Sequence, residues 1–113
     1  MYKQEEILEM EQKIGYEFKQ KQLLQQALTH SSFSNEQKIN KLKNYERLEF
    51  LGDAVLELLS SQFFFENFPD MTEGQMTRLR SSMVCEPALA FCARDLSLNK
   101  YILLGKGEEA TGG

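Results

Sequence analysis

Between Asn44 and Glu57 the chain reads NYERLEFLGDAVLE, and its carboxylates Glu46, Glu49, Asp53 and Glu57 recur at i, i+3, i+7 and i+11. At about 100° per residue, a helix places all four on one narrow stripe. Glu49–Asp53 and Asp53–Glu57 are then like-charge neighbours one turn apart, each pair unfavourable by roughly 0.2–0.5 kcal/mol. No lysine or arginine falls within the stripe. Asn44 as N-cap, together with the helix dipole, helps Glu46 and to a lesser degree Glu49, but Asp53 and Glu57 lie too far along. A divalent cation would relieve the repulsion, and Mg²⁺ prefers carboxylate and water oxygens. A solvated acidic face is the competing reading of the same spacing. Gly52 adjoins Asp53 inside this run of helix formers, where glycine is less favourable than alanine by roughly 0.5–1 kcal/mol. It points to close approach of another helix, a subunit or a ligand, with a tolerated packing glycine as the alternative.

The elements that would position the stripe follow from periodicity and punctuation. Leu48, Leu51, Val55, Leu58 and Leu59 recur at helical spacing, so the acidic helix should run on through Phe63–Phe65 to Asn67. Pro69 disfavours helix in Phe68 and sets the stop. The Phe63–Phe65 run reads as core and interface. Gln4–Ile14 is an expected amphipathic helix with Ile7, Leu8, Glu11 and Ile14 on its inner face and Gly15 as its C′ residue. Lys21–Thr29 repeats the pattern with Leu23, Leu24, Ala27 and Leu28. His30-Ser31-Ser32 closes that helix. Adjacent residues at a helix end rarely make a nucleophilic pair, so these should satisfy turn backbone. Residues 33–43 read as a polar loop, with Lys38, Lys41 and Lys43 either solvated or near a phosphate. Thr72 and Gln75 form a T-x-x-Q capping box that opens a helix with Met76, Leu79, Met83 and Val84 inside, leaving Arg78 and Arg80 for solvent or phosphates. Glu86-Pro87 starts another helix with Leu89, Ala90, Ala93 and Leu96 as its core. Residues 105–113 read as loose and exposed.

The run ERLEFLGDAVL at 46–56 resembles the signature helix of ribonuclease III, the metal-dependent endonuclease of double-stranded RNA. LTHSS at 28–32, EGQMTRLRS at 73–81 and LGKGEE at 104–109 extend the resemblance over nearly the whole chain, in the family's order. It implies an all-α endonuclease-domain fold acting as a homodimer on double-stranded RNA, and products with 5′-phosphate and 3′-hydroxyl ends in RNA processing. The resemblance makes Glu49 a direct ligand of Mg²⁺, for which Mn²⁺ can substitute. It makes Asp53 the essential aspartate that orients metal-bound water, Glu46 and Glu73 auxiliary acids, and Phe50 the protruding aromatic of the dimer interface, with Gly52 permitting subunit approach. The family continues with a further core helix carrying an Asp and a Glu. This chain stops at Ala110-Thr111-Gly112-Gly113. The expectation is therefore the N-terminal part of a catalytic domain over 1–113, poor or dead as an isolated catalyst, with partly uncovered apolar faces and no separate RNA-binding domain.

Composition agrees with a single ordinary domain: 113 residues, 42% hydrophobic and 27% charged. With 13 basic and 17 acidic residues the net charge is −4, which argues against holding nucleic acid by bulk charge alone. No signal peptide or long apolar run is visible, so a cytoplasmic protein without membrane association or organic cofactor is expected. Cys85 and Cys92, seven positions apart on one expected helix, are about 10.5 Å apart in rise and read as buried free thiols rather than a disulfide. Two rival classes remain. A non-catalytic dimerisation or RNA-binding module of the same fold would be favoured by loss of Glu49 or Asp53, and both are present. A di-iron bundle wants two Glu-x-x-His pairs, and the one histidine, His30, has Ala27 three positions before it.

Overall fold

The computed structural model describes residues 4–36 and 43–110, with backbone alone at 109 and 110. The chain is all-α: α1 (Gln4–Ile14), α2 (Lys21–Ala27), α3 (Ser31–Glu36), α4 (Glu46–Asn67), α5 (Glu73–Met83), α6 (Glu86–Asp95), a 3-10 turn (Leu98–Lys100) and α7 (Lys106–Ala110). The one extended pairing among the described residues is an isolated parallel bridge between Thr29 and Leu103.

The core gathers α1, α2 and the segment after α6. Ile7, Met10, Leu24, Leu28 and Tyr101 are buried together, with Phe18, Leu98 and Ile102 packed against them. Met10 takes the inner position on α1 that the sequence pattern gave to Leu8 and Ile14, which are exposed. Its long, flexible thioether adapts readily to such a cluster. Glu11 is buried as expected and is fully engaged. One oxygen accepts the Phe18 N–H at 2.5 Å, and Lys21 Nζ reaches the two oxygens at 2.7 and 2.8 Å. These bonds hold its carboxyl below the usual range, Lys21 contributing most. Gly15 ends α1 in the left-handed region at φ 69°, which only glycine adopts without strain.

α4 spans the limits read from the sequence. Its N-cap position falls on Tyr45, yet the Asn44 side chain does the capping work, its Oδ1 accepting the Glu46 N–H at 3.0 Å. Thr72 and Gln75 close the reciprocal capping box that opens α5, at 3.2 and 2.9 Å. α4 packs on α5, and α5 on α6. Only Phe64 of α4 is buried, while Phe63 and Phe65 of the same aromatic run face outward.

Four expectations are corrected. Residues 31–36 form α3 rather than loop, because His30 provides the helix with a cap from its carbonyl and its ring. Lys43 is exposed, and Lys38 and Lys41 lie outside the described residues. Of residues 105–113, expected to be loose, 105–110 are ordered into the fold and 111–113 lie outside the described residues. Gly105 is buried, and α7 follows it, with the Lys106 N–H held by Glu36 Oε2 at 2.9 Å. Cys85 precedes α6 as its N-cap residue and is half-buried, and Cys92 is exposed, so neither is a buried core thiol. Leu89 of α6 is exposed as well, because it faces an open groove between α6 and α4 rather than a packed helix. No helix among the described residues is long and apolar enough to cross a membrane.

Candidate functional site

The acidic face of α4 lines a groove of about 830 Å³ closed on its other side by α5 and α6. Glu49, Asp53 and Glu57 enter it from α4, Tyr45 stands at its head, and Arg80, Ser81, Val84 and Leu89 form the facing wall. Successive acids are four residues apart, about 6 Å of helix rise, so neighbouring carboxylates can share one hydrated ion.

Arg80 sets which acids remain available. Its guanidinium donates to Ser61 Oγ at 2.8 Å and lies 3.7 Å from Glu57 Oε1. The C-terminal end of the stripe is thus neutralised from α5, a cross-helix pairing that spacing along α4 does not reveal. Arg80 ties two helices together rather than facing solvent. Among the described residues no basic group lies within ion-pair distance of Glu49 or Asp53, and both are exposed to the groove.

The other sequence-predicted positions are dispersed. Glu46 sits at the first turn of α4, outside the groove lining. Glu73 lines an adjoining cleft of about 430 Å³ between α4 and α5, with Leu58, Phe65 and Met76, and its Oε1 accepts from Thr77 Oγ1 at 2.9 Å. Arg80 borders both hollows. Phe50 is 83% exposed, and Gly52 has no atom within 4 Å of where a Cβ would stand.

Electrostatics mark the head of the groove as negative. Burial pushes the Tyr45 phenol above its usual range, and Glu49, Glu108 and Glu46 push it the same way. Glu108 of α7 therefore acts on the same corner as the first two acids of α4. Sequence reading left Glu108 unassigned, since nothing in its spacing links it to α4; the fold of the 102–106 segment does. Among the described residues no three His, Cys, Asp or Glu side chains converge into a ready-made metal cage. The oxygen-only donor pair of Glu49 and Asp53 fits Mg²⁺, which keeps several waters and is commonly held by one or two carboxylates.

The model of the Ribonuclease-III-like family matches residues 20–113. Proteins named Ribonuclease 3 are similar over almost all of the chain. That of Listeria monocytogenes is 51% identical over 105 residues, covering 93% of this chain and 46% of the relative. That of Geobacillus kaustophilus is 55% identical over 105 residues, covering 93% and 43%. The chain spans about half the length of the curated relatives it matches. A solved nuclease domain of ribonuclease III from Campylobacter jejuni superposes with a TM-score of 0.84 at 45% identity, over 95% of this chain and 71% of that one. That structure is described as showing flexibility in a region involved in dimer formation. With the family model matching most of its length and the relatives agreeing in sequence and fold, this chain belongs to the ribonuclease-III-like family.

Proposed function

We propose that the chain supplies the acidic face of a Mg²⁺-dependent endoribonuclease acting on double-stranded RNA. The observation that carries this reading is the pairing of Glu49 and Asp53, one turn apart in a single groove, while Arg80 occupies Glu57. Family membership and relatives named Ribonuclease 3 support the substrate class.

Glu49 and Asp53 would hold the ion, and Mn²⁺ can take its place. A bound Mg²⁺ supplies charge neutralisation at the scissile phosphate and lowers the pKa of its water. The chain's own residues do the rest. Asp53 orients a water towards the phosphorus, and Glu49 fixes the ligand geometry from the preceding turn. Glu46 and Glu73 flank the pair as auxiliary acids, one at the head of α4 and one in the adjoining cleft. In-line attack by water leaves a 5′-phosphate and a 3′-hydroxyl. An exposed groove suits A-form RNA, which proteins read by shape and 2′-hydroxyl contacts rather than base edges. A net charge of −4 means that little of the affinity comes from bulk charge. The active form is a homodimer joined through the outer face of α4, with Phe50 inserted into the partner and Gly52 allowing close approach. The working compartment is the cytoplasm.

Long double-stranded RNA with Mg²⁺ tests the reading directly, offered to this chain and to the same chain joined to the part of the Listeria relative that the match leaves out. Cleavage by either, falling at least about 100-fold in Asp53→Asn, is the expected result. Cleavage by neither, with RNA still bound, would replace the enzyme by a non-catalytic binding module.

A further inference from the structure

His30 stands where three segments meet. Its carbonyl accepts the first amides of α3, Phe33 N–H at 3.1 Å and Ser34 N–H at 3.3 Å. Its ring caps the same helix, Nδ1 accepting the Ser32 N–H at 3.0 Å. The Ser32 hydroxyl lies 2.7 Å from the same nitrogen, and its oxygen accepts the Gly105 N–H at 2.8 Å. A nitrogen that accepts an amide N–H carries no proton. The ring is therefore the neutral tautomer with its hydrogen on Nε2, and the Ser32 O–H is free to donate to Nδ1 while its lone pairs serve Gly105.

The segment 102–106 is held by several hydrogen bonds, and the one at Gly105 runs through the Ser32 hydroxyl to this ring. Leu103 N–H donates to Leu28 O at 2.9 Å, His30 N–H to Leu103 O at 3.0 Å, and Lys106 N–H to Glu36 Oε2 at 2.9 Å. The strap has no slack: a Cβ on Gly105 would stand 2.7 Å from Glu36 Oε2 and 2.8 Å from Ser32 O. The same corner sets the start of α4. Tyr45 N–H donates to Thr29 O at 3.0 Å, and the Tyr45 ring packs edge-on to His30 with centroids 5.8 Å apart.

We propose that His30 is a pH-dependent latch, its neutral ring capping α3 and orienting the Ser32 hydroxyl that holds Gly105, and its protonation loosening those two contacts. A proton on Nδ1 would face the Ser32 N–H, so the cap on α3 is lost and the remaining Ser32 hydroxyl contact must reverse direction. It would also place positive charge at a helix N-terminus, the unfavourable end. Charged residues of the elements around this corner include Glu36 of α3, Glu46, Arg47 and Glu49 in the first turn of α4, with Asp53, Glu57 and Glu66 further along it, and Lys106 and Glu108 of α7; Lys21, at the far end of α2, is engaged by Glu11. The inference stands whether or not the groove cleaves RNA.

Amide hydrogen exchange at Ser32 and Gly105, followed by NMR from pH 8 to pH 5 and corrected for the intrinsic rate, tests the latch. That range spans the titration of imidazoles. Protection of both amides should fall by about tenfold towards pH 5, the loss expected from removing one capping interaction. In His30→Asn, whose side-chain oxygen accepts without titrating, protection should stay level. Ser32→Ala should unprotect Gly105 at every pH, and Glu36→Gln should keep the wild-type profile. A level wild-type profile, the same fall in His30→Asn, or a level profile in Glu36→Gln would overturn the proposal. So would a ring-nitrogen spectrum with the proton on Nδ1 at neutral pH, a reading that needs no variant.

Discussion

Single residues carry the clearest pH signatures. Tyr101 is buried and donates its phenol to Glu9 Oε1, while Lys100 Nζ reaches the same oxygen at 3.2 Å. The bond to Glu9, with burial behind it, pushes Tyr101 up to about 12. Folding thus favours the protonated phenol. The stabilisation is complete below the ordinary tyrosine value near 10 and is lost as pH rises through about 12. Spectrophotometric titration should resolve one of the four tyrosines ionising about two units late, and Tyr101→Phe should remove that late step. Glu9 moves the opposite way, lowered first by Tyr101 and then by Lys100, so its contribution is present above its ordinary value and fades as pH falls below it. None of this network was visible beforehand, because Glu9 and Tyr101 are separated by 92 positions. That Glu49 and Asp53 share one face was legible, because they lie one turn apart on the same helix. Arg80's claim on Glu57 was not, since it comes from another helix.

At the scale of elements, local chemistry decided what could be read. The Thr72–Gln75 capping box is written in four consecutive residues and appears in the structure with both bonds. Thr72→Ala should destabilise the chain by about 1 kcal/mol, measured by denaturant unfolding, without shifting the groove. The limits of α4 were equally legible, from Asn44 at its start to Pro69 beyond its end. α3 and α7 were not. Both are short, neither has an apolar period, and each is held by the other through Glu36 and Lys106. The His30 cap on α3 is local but is not one of the side chains by which helix starts are usually recognised, and α7 depends on the distant Glu36, so a reading of local pattern missed both. The inner face of α1 was half right for a related reason. Helical spacing offers several candidate apolar residues, and packing against Leu24, Leu28 and Tyr101 selected Ile7 and Met10.

The whole molecule is extended. Its radius of gyration is 16.7 Å, against about 13 Å for a compact chain of this length. Much of the apolar surface of α4 is left uncovered, with Phe50, Leu51, Leu58, Leu59 and Phe65 more than half exposed. An apolar surface on that scale marks an interaction site, which agrees with the proposed dimer. Gly52 gives that proposal a sharp test. Among the described residues nothing crowds its missing Cβ, so Gly52→Ala should stabilise the isolated subunit by about 0.5–1 kcal/mol. If a second subunit packs there, the same substitution should raise the dimer dissociation constant, as read by sedimentation. A stabilised chain with unchanged association would place the interface elsewhere. The central claim, that Glu49 and Asp53 together form a divalent-cation site, is tested most directly by the Mg²⁺ dependence of thermal unfolding in the wild type, Asp53→Asn and Glu57→Gln. Saturating Mg²⁺ should raise the Tm of the wild type and of Glu57→Gln by about 5 °C or more, and leave that of Asp53→Asn unmoved. No Mg²⁺ effect in the wild type, or an equal rise in Asp53→Asn, would contradict the account.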